Sequence, residues 1–150
     1  MSTANTQPQW AAKANVVSAI ITAGNNSSEG GGTIGTDTFL LTSAGANDSE
    51  LDGVILMPTS TAAATSTQAC VARFYLSTVS SGSTTSSNTK LIGEQSCASQ
   101  SADHATNQTT PVVWIPPFSR LPTGTFLLVQ QSASPAASTQ WDATAFARDY

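Results

Sequence analysis

The sequence predicts an all-β protein: an antiparallel β-sandwich, jelly-roll or immunoglobulin-like, with about eight strands. Three observations carry this expectation. Apolar residues come in short bursts separated by clusters of Ser, Thr, Gly and Asn, a rhythm of strands and turns and not of helices. Several bursts alternate apolar with polar side chains, as a strand with one buried face requires. Turn signals recur roughly every 10–20 residues, and the longer amphipathic patterns of βαβ units are missing.

In chain order, the first burst covers residues 15–22 and is rich in β-branched side chains. Residues 24–32, with three consecutive glycines at their end, read as a flexible connection. Residues 33–42 form the second strand, followed by a polar turn through residue 48. The third, residues 53–57, is expected to stop at Pro58, which cannot donate to a ladder. Residues 59–67 hold only Thr, Ser and Ala and read as loop or bland edge. Residues 68–78 are the longest strand candidate, with Cys70, Ala72, Phe74 and Leu76 on one face and Val71, Arg73 and Tyr75 on the other.

Residues 80–89 hold nothing larger than Asn and read as a solvated hairpin loop. Extended structure resumes at 90–95. Residues 111–118 make an apolar strand fenced by prolines, which places it at a sheet edge. Leu121-Pro122-Thr123-Gly124 is a turn with Pro at its first corner and Gly at a positive φ. Residues 125–131 form a further strand. In the last, residues 139–147, Trp141, Ala143, Ala145 and Ala147 alternate with their neighbours. The expected domain organisation is a flexible N-terminal arm, 1–12, and a single sandwich domain, 13–150.

Composition narrows the chemistry. Only 9% of the 150 residues are charged, against roughly a quarter in an average soluble protein. Ser and Thr account for 43 of them. A net charge of -4 offers no basic surface for a nucleic-acid backbone, and Lys13, Arg73, Lys90, Arg120 and Arg148 are scattered. No run of apolar residues is long enough for a membrane helix. The first eight residues lack the basic and apolar regions of a secretory signal, so synthesis in a cytoplasm is expected. Few cations are available to guard strand edges, which points to edges covered in a permanent, symmetric assembly.

No constellation reaches the threshold for catalysis, a cofactor or a metal. His104 is the sole histidine, lies in a polar run and lacks a nucleophile elbow, so it reads as a solvated loop residue. Asp48, Glu50 and Asp52 would share one side if extended. A hard cation could use that side, but the spacing does not fit a Ca²⁺ loop, and a plain acidic turn is the preferred reading. Cys70 and Cys97 lack CxxC spacing. Two reduced thiols are the expected state, with one disulfide as the alternative. Trp114 and Trp141 fall inside strand patterns and are expected in the core, which leaves Trp10 as the aromatic residue able to face a partner.

Three segments carry a family resemblance: Thr89-Lys90-Leu91-Ile92-Gly93-Glu94, then Leu121-Pro122-Thr123-Gly124-Thr125-Phe126-Leu127-Leu128-Val129, and the closing Trp141-Asp142-Ala143-Thr144-Ala145-Phe146-Ala147-Arg148-Asp149-Tyr150. In this order the chain resembles small virion structural proteins of tailed bacteriophages, in particular capsid decoration (cement) proteins. The resemblance implies a multi-copy structural role on the capsid surface after synthesis in the bacterial host cytoplasm. It also implies the major capsid protein and the chain's own copies, as a homotrimer, as partners. No catalytic residue carries over. A tail, adaptor or baseplate component and a lectin-like glycan-binding module are the alternatives. The expected interface residues are Trp10 and Lys13 on the arm, with Arg148 and Tyr150 at the other end of the chain.

Overall fold

The computed structural model describes residues 13–26, 30–62, 66–102, 109–118 and 120–150. The N-terminal arm, Trp10 and His104 lie outside the described residues. Eleven strands follow in chain order: β1 (Lys13–Ile21), β2 (Gly32–Ile34), β3 (Thr38–Ser43), β4 (Ser49–Ser60), β5 (Cys70–Ser77), β6 (Gly82–Thr84), β7 (Thr89–Cys97), β8 (Val112–Trp114), β9 (Arg120–Leu121), β10 (Phe126–Gln131) and β11 (Thr139–Asp149). They form two sheets. One has the order β1-β11-β4-β8, with β9 also paired to β4; the other runs β6-β2-β3-β10-β5-β7. Pairings between these strands are antiparallel except for one parallel rung, Ile34 to Thr38, between β2 and β3.

The core lies between the sheets and is built by the expected alternation. From the first sheet Trp141, Ala143, Ala145 and Ala147 of β11, Val54 and Leu56 of β4 and Ile21 of β1 turn inward. Ala72 and Phe74 of β5, Leu127 and Val129 of β10 and Leu41 of β3 meet them from the second. The run of small alanines leaves space for two indoles, and both are buried: Trp141 is 1% exposed and Trp114 5%. Trp114 reaches across from β8 and stacks on Phe74, ring centroids 4.0 Å apart and planes 10° off parallel. Its indole also lies over Gly93 of β7, where a Cβ would come within 2.6 Å of Cζ2. Only glycine fits beneath that ring.

The sandwich and its core residues match the sequence reading; several boundaries do not. Three short strands raise the number from eight to eleven. The segment 33–42 is broken by a turn at Gly35, whose φ is +88°, with Thr36 N–H donating to the Thr33 carbonyl at 3.0 Å. The low-complexity tip contains β6, which pairs with β2. Side chains too small to signal burial still have backbone groups that complete a ladder. β9 pairs Arg120 and Leu121 with the start of β4.

Pro58 does not end its strand. It sits inside β4 opposite Trp141. On the other side β8 pairs only Val54, Ile55 and Leu56, so no neighbour there waits for an N–H at Pro58. The turn after β9 is also shifted by one place. Thr125 N–H donates to the Pro122 carbonyl at 3.1 Å, making Thr123 and Gly124 (φ +77°) its corners.

Residues 30–32 are not a loose connection. The Gly31 carbonyl accepts from Asn25 Nδ2 at 2.8 Å and from Gln130 Nε2 at 3.0 Å. Gln130 Nε2 also donates to Thr38 Oγ1 at 3.1 Å, and Tyr75 donates to Gln130 Oε1 at 3.2 Å. Tyr75, Leu128, Gln130 and Thr38, on the side of the second sheet away from the core, are thereby almost fully buried. Gly30 packs against the backbone of residues 85–89. The chain has folded a polar layer over the outer side of its own second sheet.

Candidate interaction surface

The outer side of the first sheet has no such cover among the described residues. Because β11 buries its alanines, Asp142, Thr144 and Phe146 point outward, and register aligns their neighbours. Val16, Phe146 and Gly53 form one row across the sheet. Ser18, Thr144, Ile55 and Val113 form the next, and Ile20, Asp142 and Met57 the third. Val16 is 58% exposed, Ile20 51%, Val113 51% and Ile115, just past β8, 75%. Phe146, Ile55 and Met57 are half-buried. Single exposed apolar residues are ordinary on a protein surface, whereas a contiguous set on one sheet face marks a site of contact.

Polar groups on this face include two local pairs. The hydroxyls of Ser18 and Thr144 are hydrogen-bonded at 2.8 Å. Gln140 Nε2 donates to Asp142 Oδ1 at 3.4 Å. Burial among its neighbours pushes the Asp142 carboxyl above the ordinary carboxylate range. β1 lies at the end of its sheet, and Lys13 is the one charged residue in its nine positions. The free edge thus carries little of the charge that blunts strand edges.

Charge gathers instead at one end of this sheet. Arg148 holds Asp52 in a two-pronged pair, Nη2 to Oδ1 at 2.6 Å and Nε to Oδ2 at 3.2 Å, and lies 3.4 Å from Glu50 Oε1. The Tyr150 hydroxyl donates to Glu50, and that bond raises the phenol's pKa. Asp48, at a left-handed φ of 70°, accepts from Thr123 N–H at 2.6 Å and from its hydroxyl at 2.8 Å. Arg120 Nη2 lies 2.6 Å from the same carboxylate. The Thr123 bonds, followed by that to Arg120, hold Asp48 below the usual carboxylate range.

The three carboxylates predicted to share one side therefore each have an intramolecular partner. Among the described residues, no three His, Cys, Asp or Glu side chains converge to hold a metal. Asp48 pins the 122–125 turn, whereas Glu50 and Asp52 lie within β4, so the three do not form the plain acidic turn expected from the sequence.

The expected interface residues are placed as follows. Lys13 is exposed at the start of β1 and faces Asp149 in register, with Arg148 one rung on. Lys13, Arg148 and Tyr150 thus share one end of the first sheet, although Arg148 and Tyr150 are engaged with Glu50 and Asp52. The apolar rows beside them were missed in the sequence. Their signal was present: residues 16, 17, 19, 20 and 21 are apolar on both sides of an edge strand, where one buried side needs only every second position.

The chain also has a small cavity of about 160 Å³ lined by Gly30, Tyr75, Ser86, Thr89, Lys90 and Leu91. It is smaller than the ~300–1,000 Å³ usual for ligand pockets.

No family model matches the sequence, and no curated protein does. Among solved structures, a chain in the structure of infectious bursal disease virus Gx strain matches with a TM-score of 0.29 and 13% identity, over 99% of this chain and 36% of that one. The chain spans little more than a third of that protein's length, and a superposition this loose assigns neither fold nor role.

Proposed function

We propose that this chain is a virion structural protein of a bacteriophage, a capsid decoration (cement) protein that seats on the assembled head. Its partners in this reading are the major capsid protein and its own copies in a homotrimer, and it works by contact, without catalysis or cofactor. The observation that carries the reading is the outer side of the first sheet, where Val16, Ile20, Val113 and Ile115 are exposed around half-buried Phe146, Ile55 and Met57. A protein that binds only the assembled shell stabilises it by mass action, and repetition over a lattice multiplies modest single contacts. The lectin-like alternative finds no support in Trp114 or Trp141, because both indoles are buried and neither can serve as a sugar platform.

The test is addition of purified protein to heads lacking it, with the Val16→Lys/Ile20→Lys variant in parallel. Both positions are exposed, and a lysine at 20 would face Asp142 across the ladder, so the fold is expected to survive. The native chain should give shell-wide density in micrographs, and the variant should lose it. Density at a single vertex would move the protein to a tail or adaptor role. Undiminished binding by the variant would remove this face from the interface.

A further inference from the structure

We infer that Cys70 and Cys97 are a redox-convertible pair whose disulfide clamps the last rung between β5 and β7. β5 begins at Cys70, β7 ends at Cys97, and the two are direct partners in the antiparallel register. Directly opposed residues on antiparallel strands have Cα atoms roughly 4.5–5.5 Å apart, inside the ~4.4–6.8 Å that a disulfide spans. Both side chains turn toward the core: Cys97 is almost fully buried, and Cys70 is half-buried and packed against the same cluster. Both are free thiols in the structure, and Cys97 Sγ lies 3.7 Å from the Gln95 carbonyl it donates to.

The neighbouring Cys70 thiol, with help from Ala72 N–H, lowers the Cys97 pKa, while Cys97 and burial push the Cys70 thiol up. The pair therefore releases its first proton more readily than its second, and the thiolate is the species that attacks a disulfide. A low-molecular-weight disulfide, R–S–S–R, is the oxidant required. Both protein S–H bonds break and one S–S bond forms between Cys70 and Cys97. The two electrons and two protons pass to the small disulfide, which leaves as two R–SH molecules. β7 is an outer strand of its sheet, so the bond would add a covalent link to an edge now held by its ladder with β5, the Arg73–Glu94 ion pair and side-chain packing. The inference stands independently of the role proposed above.

The experiment treats the native protein with excess oxidised glutathione, alkylates it under denaturing conditions and measures mass and Tm. The expected product is a monomer lighter by two hydrogens that takes up no alkyl group, with a 70–97 cross-linked peptide. Its Tm should rise by roughly 10 °C, from the closure of a loop of this length in the unfolded chain, and fall back with dithiothreitol. Cys70→Ala should show no rise. Two alkylated thiols, a lasting glutathione adduct, a cross-link between molecules, or a 70–97 bond that leaves Tm unchanged would each overturn the clamp.

Discussion

Replacing Gly93 by Ala would drive a methyl group into the indole of Trp114, 2.6 Å from Cζ2 and 2.7 Å from Nε1. The ring has little freedom to move aside, because it is stacked on Phe74 at 4.0 Å. Overpacking of this kind costs about 2 kcal/mol. Trp114→Ala has the opposite fault: it removes an indole that buries on the order of 200 Å², for a loss of about 4 kcal/mol. Combined, the two changes relieve one another, since the new methyl enters the space the indole has left. In the Trp114→Ala background Gly93→Ala should cost nothing, or gain roughly 0.5 kcal/mol by removing a glycine from a strand interior. The coupling should be about 2 kcal/mol, read from urea unfolding of the four proteins at constant m. If Gly93→Ala costs the same with and without the indole, the ring does not lie on residue 93 and the packing argument fails.

Two further predictions concern charge and polar burial. Asp142 holds its proton to higher pH folded than unfolded, so its contribution to stability declines as pH rises through and above 3.8 toward the folded value. Asp142→Asn should therefore stabilise the protein at neutral pH, by under about 1 kcal/mol because the group is largely solvated. That gain should vanish in thermal melts below the ordinary carboxylate range. Gln130→Ala would take away the amide that serves Gly31, Thr38 and Tyr75 together. It should cost about 2–3 kcal/mol, and hydrogen exchange should quicken in residues 30–38 ahead of the core strands.

The core was the most legible part of the sequence. Trp141, Ala143, Ala145 and Ala147 repeat every second residue, and Cys70, Ala72, Phe74 and Leu76 do the same; that period fixes which side is buried before any partner strand is known. Short strands held by backbone bonds alone were not legible. Gly82 to Thr84 has no apolar side chain to announce β6, and its pairing with β2 depends on a contact about fifty residues away in the chain. The Pro58 error has a related origin. The rule that proline ends a strand presumes a neighbour on both sides, and residues 58–60 of β4 extend past the reach of β8. At the candidate surface, Lys13, Arg148 and Tyr150 share one end of the first sheet, and Lys13 belongs to β1 and not to the arm. The pairing of Arg148 with Glu50 and Asp52, and of Tyr150 with Glu50, was invisible, because nothing in the sequence says that β4 and β11 lie side by side.

A sandwich begins with two outer sides under the same constraint, and this chain treats them differently. Over the second sheet it uses a glycine-rich segment, an Asn and a Gln to build a hydrogen-bonded layer beside Tyr75, and every polar group named in that layer has a partner within the chain. Over the first sheet it places β-branched and aromatic side chains with the polar pair Ser18 and Thr144 between them. Solubility alone would favour charge at Val16 and Ile20, since both point to water and lysine is tolerated at strand edges. Stability alone would be indifferent to them, as neither touches the core. The contact proposed above would account for their apolar character, at roughly 25 cal/mol for each Å² of apolar area removed from solvent. Lysines at these two positions would leave the fold alone and subtract that term, which makes the pair the point at which folding and assembly can be separated by experiment.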